Sequence, residues 1–297
     1  MIVRMKALFP VLLFSLATGF ASAKELRILP ETIHLDGPEA IQHVLALRVE
    51  DGNYVGEEPS TTWSIEPAGV VELVDGVLHA RGNGKAILTA KSGDSVSTRV
   101  IEVAKVDEPF AWSFNGHVMP VLTRQGCNMG ACHGAVAGKG GFRLSLRGYD
   151  PPADFYTMTR EARGRRVDPL EPAKSLLLTK PTMATPHKGG KKLDPRSREY
   201  RILAEWIANG SPAPSAEDAA VVSITVEPPL SILKNGSKQR FLVTAHYDDG
   251  SSLDVTDWAK FASADETVAY IDDSGTAEVI GHGEGAVTAL FASKVAI

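Results

Sequence analysis

The chain has 297 residues, with 31 Lys and Arg against 36 Asp and Glu, and a formal net charge of −5. That length argues against a single compact domain, and the composition is ordinary for a globular protein. The charge is unevenly spread: residues 24–109 carry 8 basic and 15 acidic side chains, residues 110–212 carry 16 and 8, and residues 213–297 carry 5 and 13. A basic middle therefore lies between two acidic flanks.

Arg4 and Lys6 precede an apolar run from Ala7 to Phe20, and Ala21-Ser22-Ala23 supplies small residues for cleavage. This layout predicts a signal peptide over residues 1–23, a mature chain from Lys24, and export to the periplasm or cell surface. No later stretch is long and apolar enough to span a bilayer, so no membrane span is expected after cleavage.

Residues 24–106 and 222–297 repeat one another. GVLHARGNGKAILTA (Gly76 to Ala90) aligns without gaps on GTAEVIGHGEGAVTA (Gly275 to Ala289). Phe241, Val243, Ala245 and Tyr247 alternate with polar residues, the period of a half-buried strand, and Val44 to Val49 is its counterpart. Asp51-Gly52 and Asp249-Gly250 are hairpin-turn pairs. Both copies read as small all-β sandwiches, the second short of its closing strand at Ile297 and so part of a longer polypeptide. The His residues of the copies, His34, His43, His79, His246 and His282, read as surface or strand positions. Both copies resemble bacterial Ig-like domains of group 2, which implies spacer or adhesive modules on an exported protein.

The middle segment, residues 110–212, holds the only two cysteines, in Cys127-Asn128-Met129-Gly130-Ala131-Cys132-His133. Two Cys followed directly by His is the logic of haem attachment, here with a four-residue spacer. The same residues leave open a Cys127–Cys132 disulfide and a zinc site completed from elsewhere. Met183 and His187 share a Pro- and Gly-rich loop 50 to 54 residues beyond His133, and either is a candidate second iron ligand. A helix is expected from about Ser197 to Asn209, with Tyr200, Leu203, Trp206 and Ile207 on one face. Of Arg143, Arg147, Arg163, Arg165 and Arg166, one or two are expected near ligand carboxylates and the rest in solvent.

GCNMGACHGAVAGKGGFRLSLRGYDP, GRRVDP, SLLLTKPTMATPHKGGKKL and EYRILAEWIANG resemble the planctomycete-type cytochrome c domain. The resemblance implies a mainly α, class I cytochrome c-like domain with one covalent haem c on Cys127 and Cys132. It also implies His133 as proximal ligand and His187, with Met183 the alternative, as distal ligand. The chain is then expected to be a single-electron carrier rather than an enzyme. Its partner would be a redox protein or a C-terminal region of the same polypeptide, catalytic in its own right. Nucleic acid is excluded as a partner, because the exported basic segment has no recognisable binding module. The alternative is a cell-surface binding or scaffold protein with a Cys127–Cys132 disulfide and no haem.

Overall fold

A computed structural model describes residues 25–215 and 218–297. The expected signal peptide lies outside the described residues. Among those described, no helix is long and apolar enough to cross a membrane.

The first β unit opens with β1 (Glu25–Leu29), antiparallel to β4 (Leu45–Glu50), which hairpins into β5 (Asn53–Glu57). Asp51 and Gly52 both take positive φ in that turn, as a two-residue hairpin of this type requires. A second sheet runs β2 (Ile33–Asp36), β10 (Ser95–Ala104), β9 (Gly84–Ser92), β6 (Thr62–Glu66), with β2 parallel to β10. β3 (Ile41–His43), β8 (Val77–Ala80) and β7 (Val71–Val74) make a third. Along β9, Ala86, Leu88 and Ala90 point inward while Lys85 and Ile87 face out. This alternation packs Leu88 with Ile28, Leu35, Leu78 and Ile101 in the unit's core.

The second β unit has three three-stranded sheets. β11 (Val221–Glu227), β13 (Leu242–Tyr247) and β14 (Ser252–Asp254) form one; β12 (Lys238–Arg240), β17 (Thr276–Val279) and β16 (Ala269–Ile271) form another. β15 (Lys260–Ser263), β18 (Val287–Phe291) and β19 (Lys294–Ala296) form the third. The repeated segments take corresponding elements, β8 then β9 and β17 then β18. Gly84 and Gly283 hold the same unusual backbone at φ +145° and +147°.

The middle segment has short helices only. Besides 3-10 turns at Leu146–Gly148, Glu161–Gly164 and Pro172–Lys174, these are a π-helical turn (Phe114–Val118), α1 (Met119–Arg124), α2 (Pro151–Thr159), α3 (Leu176–Thr179) and α4 (Arg198–Ala208). α4 is the longest; the Ser197 hydroxyl caps it by accepting from the Tyr200 N–H at 3.2 Å. It buries Ile202, Leu203, Trp206 and Ile207. Elsewhere Pro181 and Pro186, with glycines such as Gly138, Gly140 and Gly141 at positive φ, keep helices from propagating, while Pro151 and Pro172 open short helical elements at their first turn.

The expected architecture, two Ig-like sandwiches around a mainly α class I cytochrome c-like domain, is therefore corrected. The chain is mainly β, in several small sheets, with no helical cytochrome domain evident among the described residues. Nor do the hydrophobic clusters follow that division. Leu144, Leu178 and Trp206 of the middle share one cluster with Val243, Trp258 and Phe291 of the second β unit. Leu242 packs with Leu29, Leu45 and Leu47 of the first.

Candidate functional site

Beyond α1, Gly126 at φ +73° turns the chain, and the Cys127 N–H donates to the Leu122 carbonyl at 2.8 Å. The Cys132 N–H then donates to Met129 (2.8 Å), His133 to Cys127 (2.9 Å) and Gly134 to Met129 (3.1 Å). The segment winds into one tight loop around the fully buried Asn128, whose Nδ2 donates to Thr123 Oγ1 at 2.8 Å. A Cβ on Gly134 would lie 2.1 Å from the Asn128 carbonyl oxygen, so only glycine fits.

This loop brings His133 to His187. Their rings lie 6.3 Å apart and within 12° of parallel. His133 Nδ1 donates to the Phe142 carbonyl (3.0 Å) and His187 Nδ1 to the Gly190 carbonyl (2.9 Å). A carbonyl only accepts, so each Nδ1 carries a hydrogen, and in a neutral ring so held the lone pair sits on Nε2. Ligating histidines are commonly oriented this way. Imidazoles bound to opposite sides of one metal ion, with metal–nitrogen bonds of about 2.0–2.1 Å, have centroids roughly 6 Å apart.

Both rings line a cavity of about 840 Å³, as do Cys127, Cys132 and Met183. Leu122, Leu177 and Leu193 supply apolar wall. Burial, with the neighbouring Cys132 thiol, pushes the Cys127 thiol up to about 12, and burial holds His133 below its ordinary value. Both are therefore neutral near pH 7. Both cysteines are free. Met183 is 46% exposed, at φ +67°.

Arg165 and Arg166 reach the same cavity, whereas Arg143, Arg147 and Arg163 are exposed. Arg166 is buried. It donates to the carbonyls of Thr157 (2.7 Å) and Gly141 (2.5 Å), pairs with Glu161 at 3.1 Å, and lies 4.8 Å from the Phe142 ring centroid. Arg166 thus braces the Phe142 segment, whose carbonyl orients His133.

A second cluster joins the three parts of the chain. His43 Nδ1 is 2.9 Å from Asp254 and its Nε2 is 3.3 Å from Asp257. Burial alone would lower the His43 pKa, but hydrogen bonds and charge from the two carboxylates outweigh it and raise it to about 10. Arg201 of α4 grips Glu39 of the first unit with two hydrogen bonds, at 2.7 and 2.6 Å. Arg198 of α4 donates to the Glu39 carbonyl at 3.1 Å and lies over the rings of Trp112 and Trp258. Sequence reasoning missed this cluster, having read His43 as a surface or strand residue. Its partner Asp254 lies 211 residues away, and no local pattern signals the pairing.

No protein-family model matches the chain. Over 69 residues it is 41% identical to Ice-binding protein 1 of Shewanella frigidimarina (strain NCIMB 400), a stretch that is 23% of this chain and 8% of that protein. Among solved structures, the S-layer protein rSbsC aligns with 86% of this chain and 22% of its own at 11% identity and a TM-score of 0.23. A titin M10–obscurin-like 1 Ig complex aligns with 30% of this chain and 95% of its own at 14% identity and 0.18. A putative alpha-galactosidase from Bacteroides fragilis aligns with 36% and 26% at 22% identity and 0.21. At those TM-scores the alignments carry no argument.

The expectation of a cytochrome-type electron carrier is corrected by these findings. The sequence relative is an ice-binding protein, and the body is mainly β. Among the described residues, no three His, Cys, Asp or Glu side chains are grouped to hold a metal ion. The physical reason is legible in the middle segment: its local strings resemble a cytochrome, but its prolines and glycines permit only short helices.

Proposed function

We propose that the chain is an exported binding or scaffold protein of the cell surface, in which two β units hold a pocket-bearing middle segment between them. The observation that supports this reading is the junction of His43, Glu39, Arg198, Arg201, Asp254 and Asp257. It ties residues from all three parts of the chain by charge-assisted hydrogen bonds. The shared apolar cluster of middle segment and second unit adds to it. Tethered beads need no such contacts; a body that presents a pocket at fixed geometry does. The stretch shared with Ice-binding protein 1 supports a module common to the two proteins, and the signal-peptide layout supports export.

A protease challenge of the purified chain at neutral pH tests the scaffold reading. The connections at residues 105–111 and 211–215 should outlast the exposed turns of the β units. Early cleavage at either connection, releasing intact units, would show beads on a string.

The cavity carries a separate proposal about a cofactor. One haem c fits the donor set: two imidazoles whose Nδ1 atoms are held by carbonyls, two thiols on the same cavity and an apolar wall. His133 and His187 would hold the iron, and Cys127 and Cys132 the macrocycle edge. Such a group supplies a metal centre and visible absorbance when bound. The chain's own residues orient the imidazoles through the Phe142 and Gly190 carbonyls and exclude water with Leu122, Leu177 and Leu193. Protein made in a host with haem-attachment machinery should show a visible band, and its low-spin character should be lost in His187→Ala. Colourless protein from such a host would remove the cofactor and leave the surface role standing.

A further inference from the structure

His117 stands at the meeting point of the three parts. Its ring is edge-on to Phe110 (5.7 Å), Trp112 (5.0 Å) and Trp258 of the second unit (5.8 Å). Its Nδ1 accepts a hydrogen bond from the Ser113 backbone N–H at 3.1 Å, with the Ser113 hydroxyl also 3.1 Å away. An N–H pointed at Nδ1 requires a bare nitrogen there, so this geometry admits only the neutral ring. A proton added at Nδ1 would oppose the Ser113 N–H and break the turn that starts the π-helical segment. We infer that the junction is an acid-sensitive hinge: proton uptake by His117 opens the contact of the middle segment with the two β units. The inference rests on the closed junction, not on the cell-surface role.

The charged groups of the junction, of which Arg198 and Glu39 act on the ring directly, support it. From α4, Arg198 lies close by, over Trp112 and Trp258, and Arg201 pairs with Glu39 and Glu205. From the first unit come Glu39, His43 and His79, and from the second Asp254 and Asp257. Burial, then the Arg198 charge, holds His117 down at about 4. Glu39 stays below the usual carboxylate range because Arg201 hydrogen-bonds to it. Burial would raise Asp257, but His43 outweighs it and lowers the group. Glu39 and Asp257 are thus both held below their ordinary values, and His43, raised to about 10, remains protonated. Burial lowers His79 as well, which makes it the control.

In the open form His117 titrates near 6.5 and binds the proton more tightly than in the closed form. Closed-state preference is thus intact above pH 6.5 and lost as pH falls towards 4. The closed-to-open ratio drops by roughly a hundredfold at pH 4.

Small-angle scattering of the mature chain from pH 7.5 to 4 should show an increase in radius of gyration with far-ultraviolet circular dichroism unchanged. In His117→Gln the expansion should move to lower pH, while His79→Gln keeps the wild-type profile. An identical profile in His117→Gln and wild type would overturn the inference, as would transfer of the effect to His79→Gln. Should His117→Gln not fold, hydrogen exchange of the wild type decides. Corrected for intrinsic rate, protection of the Ser113 amide should fall between pH 7.5 and 4.5; unchanged protection would overturn the hinge.

Discussion

Replacing His43 by Ala tests how the two β units are held together. The His43 side chain is 14% exposed and that of Asp254 is fully buried. Removing the imidazole leaves a buried carboxylate with only neutral donors: the Gln42 amide, the residue 43 N–H and the Thr256 N–H. Breaking a buried pair from one side costs about 3–5 kcal/mol. The raised pKa of the same pair points to the same order of magnitude. A pKa raised from 6.5 to about 10 corresponds to about 5 kcal/mol, at roughly 1.4 kcal/mol per tenfold. The sign follows from the elevation: the stabilisation is complete below pH 6.5 and is lost as pH rises through about 10. In urea unfolding at pH 6, His43→Ala should lose about 3–5 kcal/mol relative to wild type. That difference should shrink steadily between pH 6.5 and about 10. Adding Asp254→Ala to His43→Ala should recover part of the loss, because the orphaned charge goes with it. A cost below about 1 kcal/mol, as for a surface pair, or a cost that does not change with pH, would refute the reasoning.

Three further substitutions probe the pocket and the seam. Gly134→Ala should abolish the Cys127–His133 loop, because its Cβ would overlap the Asn128 carbonyl; broadened His133 and His187 signals in NMR would report it, and unchanged signals would contradict the loop. Arg166→Met strands the Thr157 and Gly141 carbonyls and should cost about 2–4 kcal/mol in denaturant unfolding; a neutral result would mean that Arg166 does not brace the pocket. Leu242→Ala, at a site 2% exposed between Leu29, Leu45 and Leu47, should cost about 2–5 kcal/mol and hasten proteolysis between the β units; a loss confined to the second unit, with the seam intact, would contradict the shared cluster.

Elements set by local rules were legible in the sequence. The hairpin at Asp51-Gly52, the matched Gly84 and Gly283 turns and the apolar face of α4 follow from glycine geometry and side-chain period. The proximity of His133, Cys127 and Cys132 is also local, since the loop closes within seven residues. Features set by distant partners were not legible. The parallel pairing of β2 with β10 and the bond of His43 to Asp254 leave no mark in any window of sequence. The helical cytochrome reading failed for a related reason: it carried short familiar strings over to a whole domain. Pro181 stops the chain just beyond α3, and even the longest helix of this segment, α4, runs only 11 residues.

An epitope tag on the exposed face of the first β unit tests whether the chain is displayed at the cell surface. The Gly93–Asp94 turn between β9 and β10 is exposed and distant from the junction in sequence, so an epitope inserted there should leave the fold intact. Intact cells of the native host carrying the tagged chain should bind antibody, and external protease should remove the epitope without lysis. An epitope that is reached only after the cells are broken open would contradict the account.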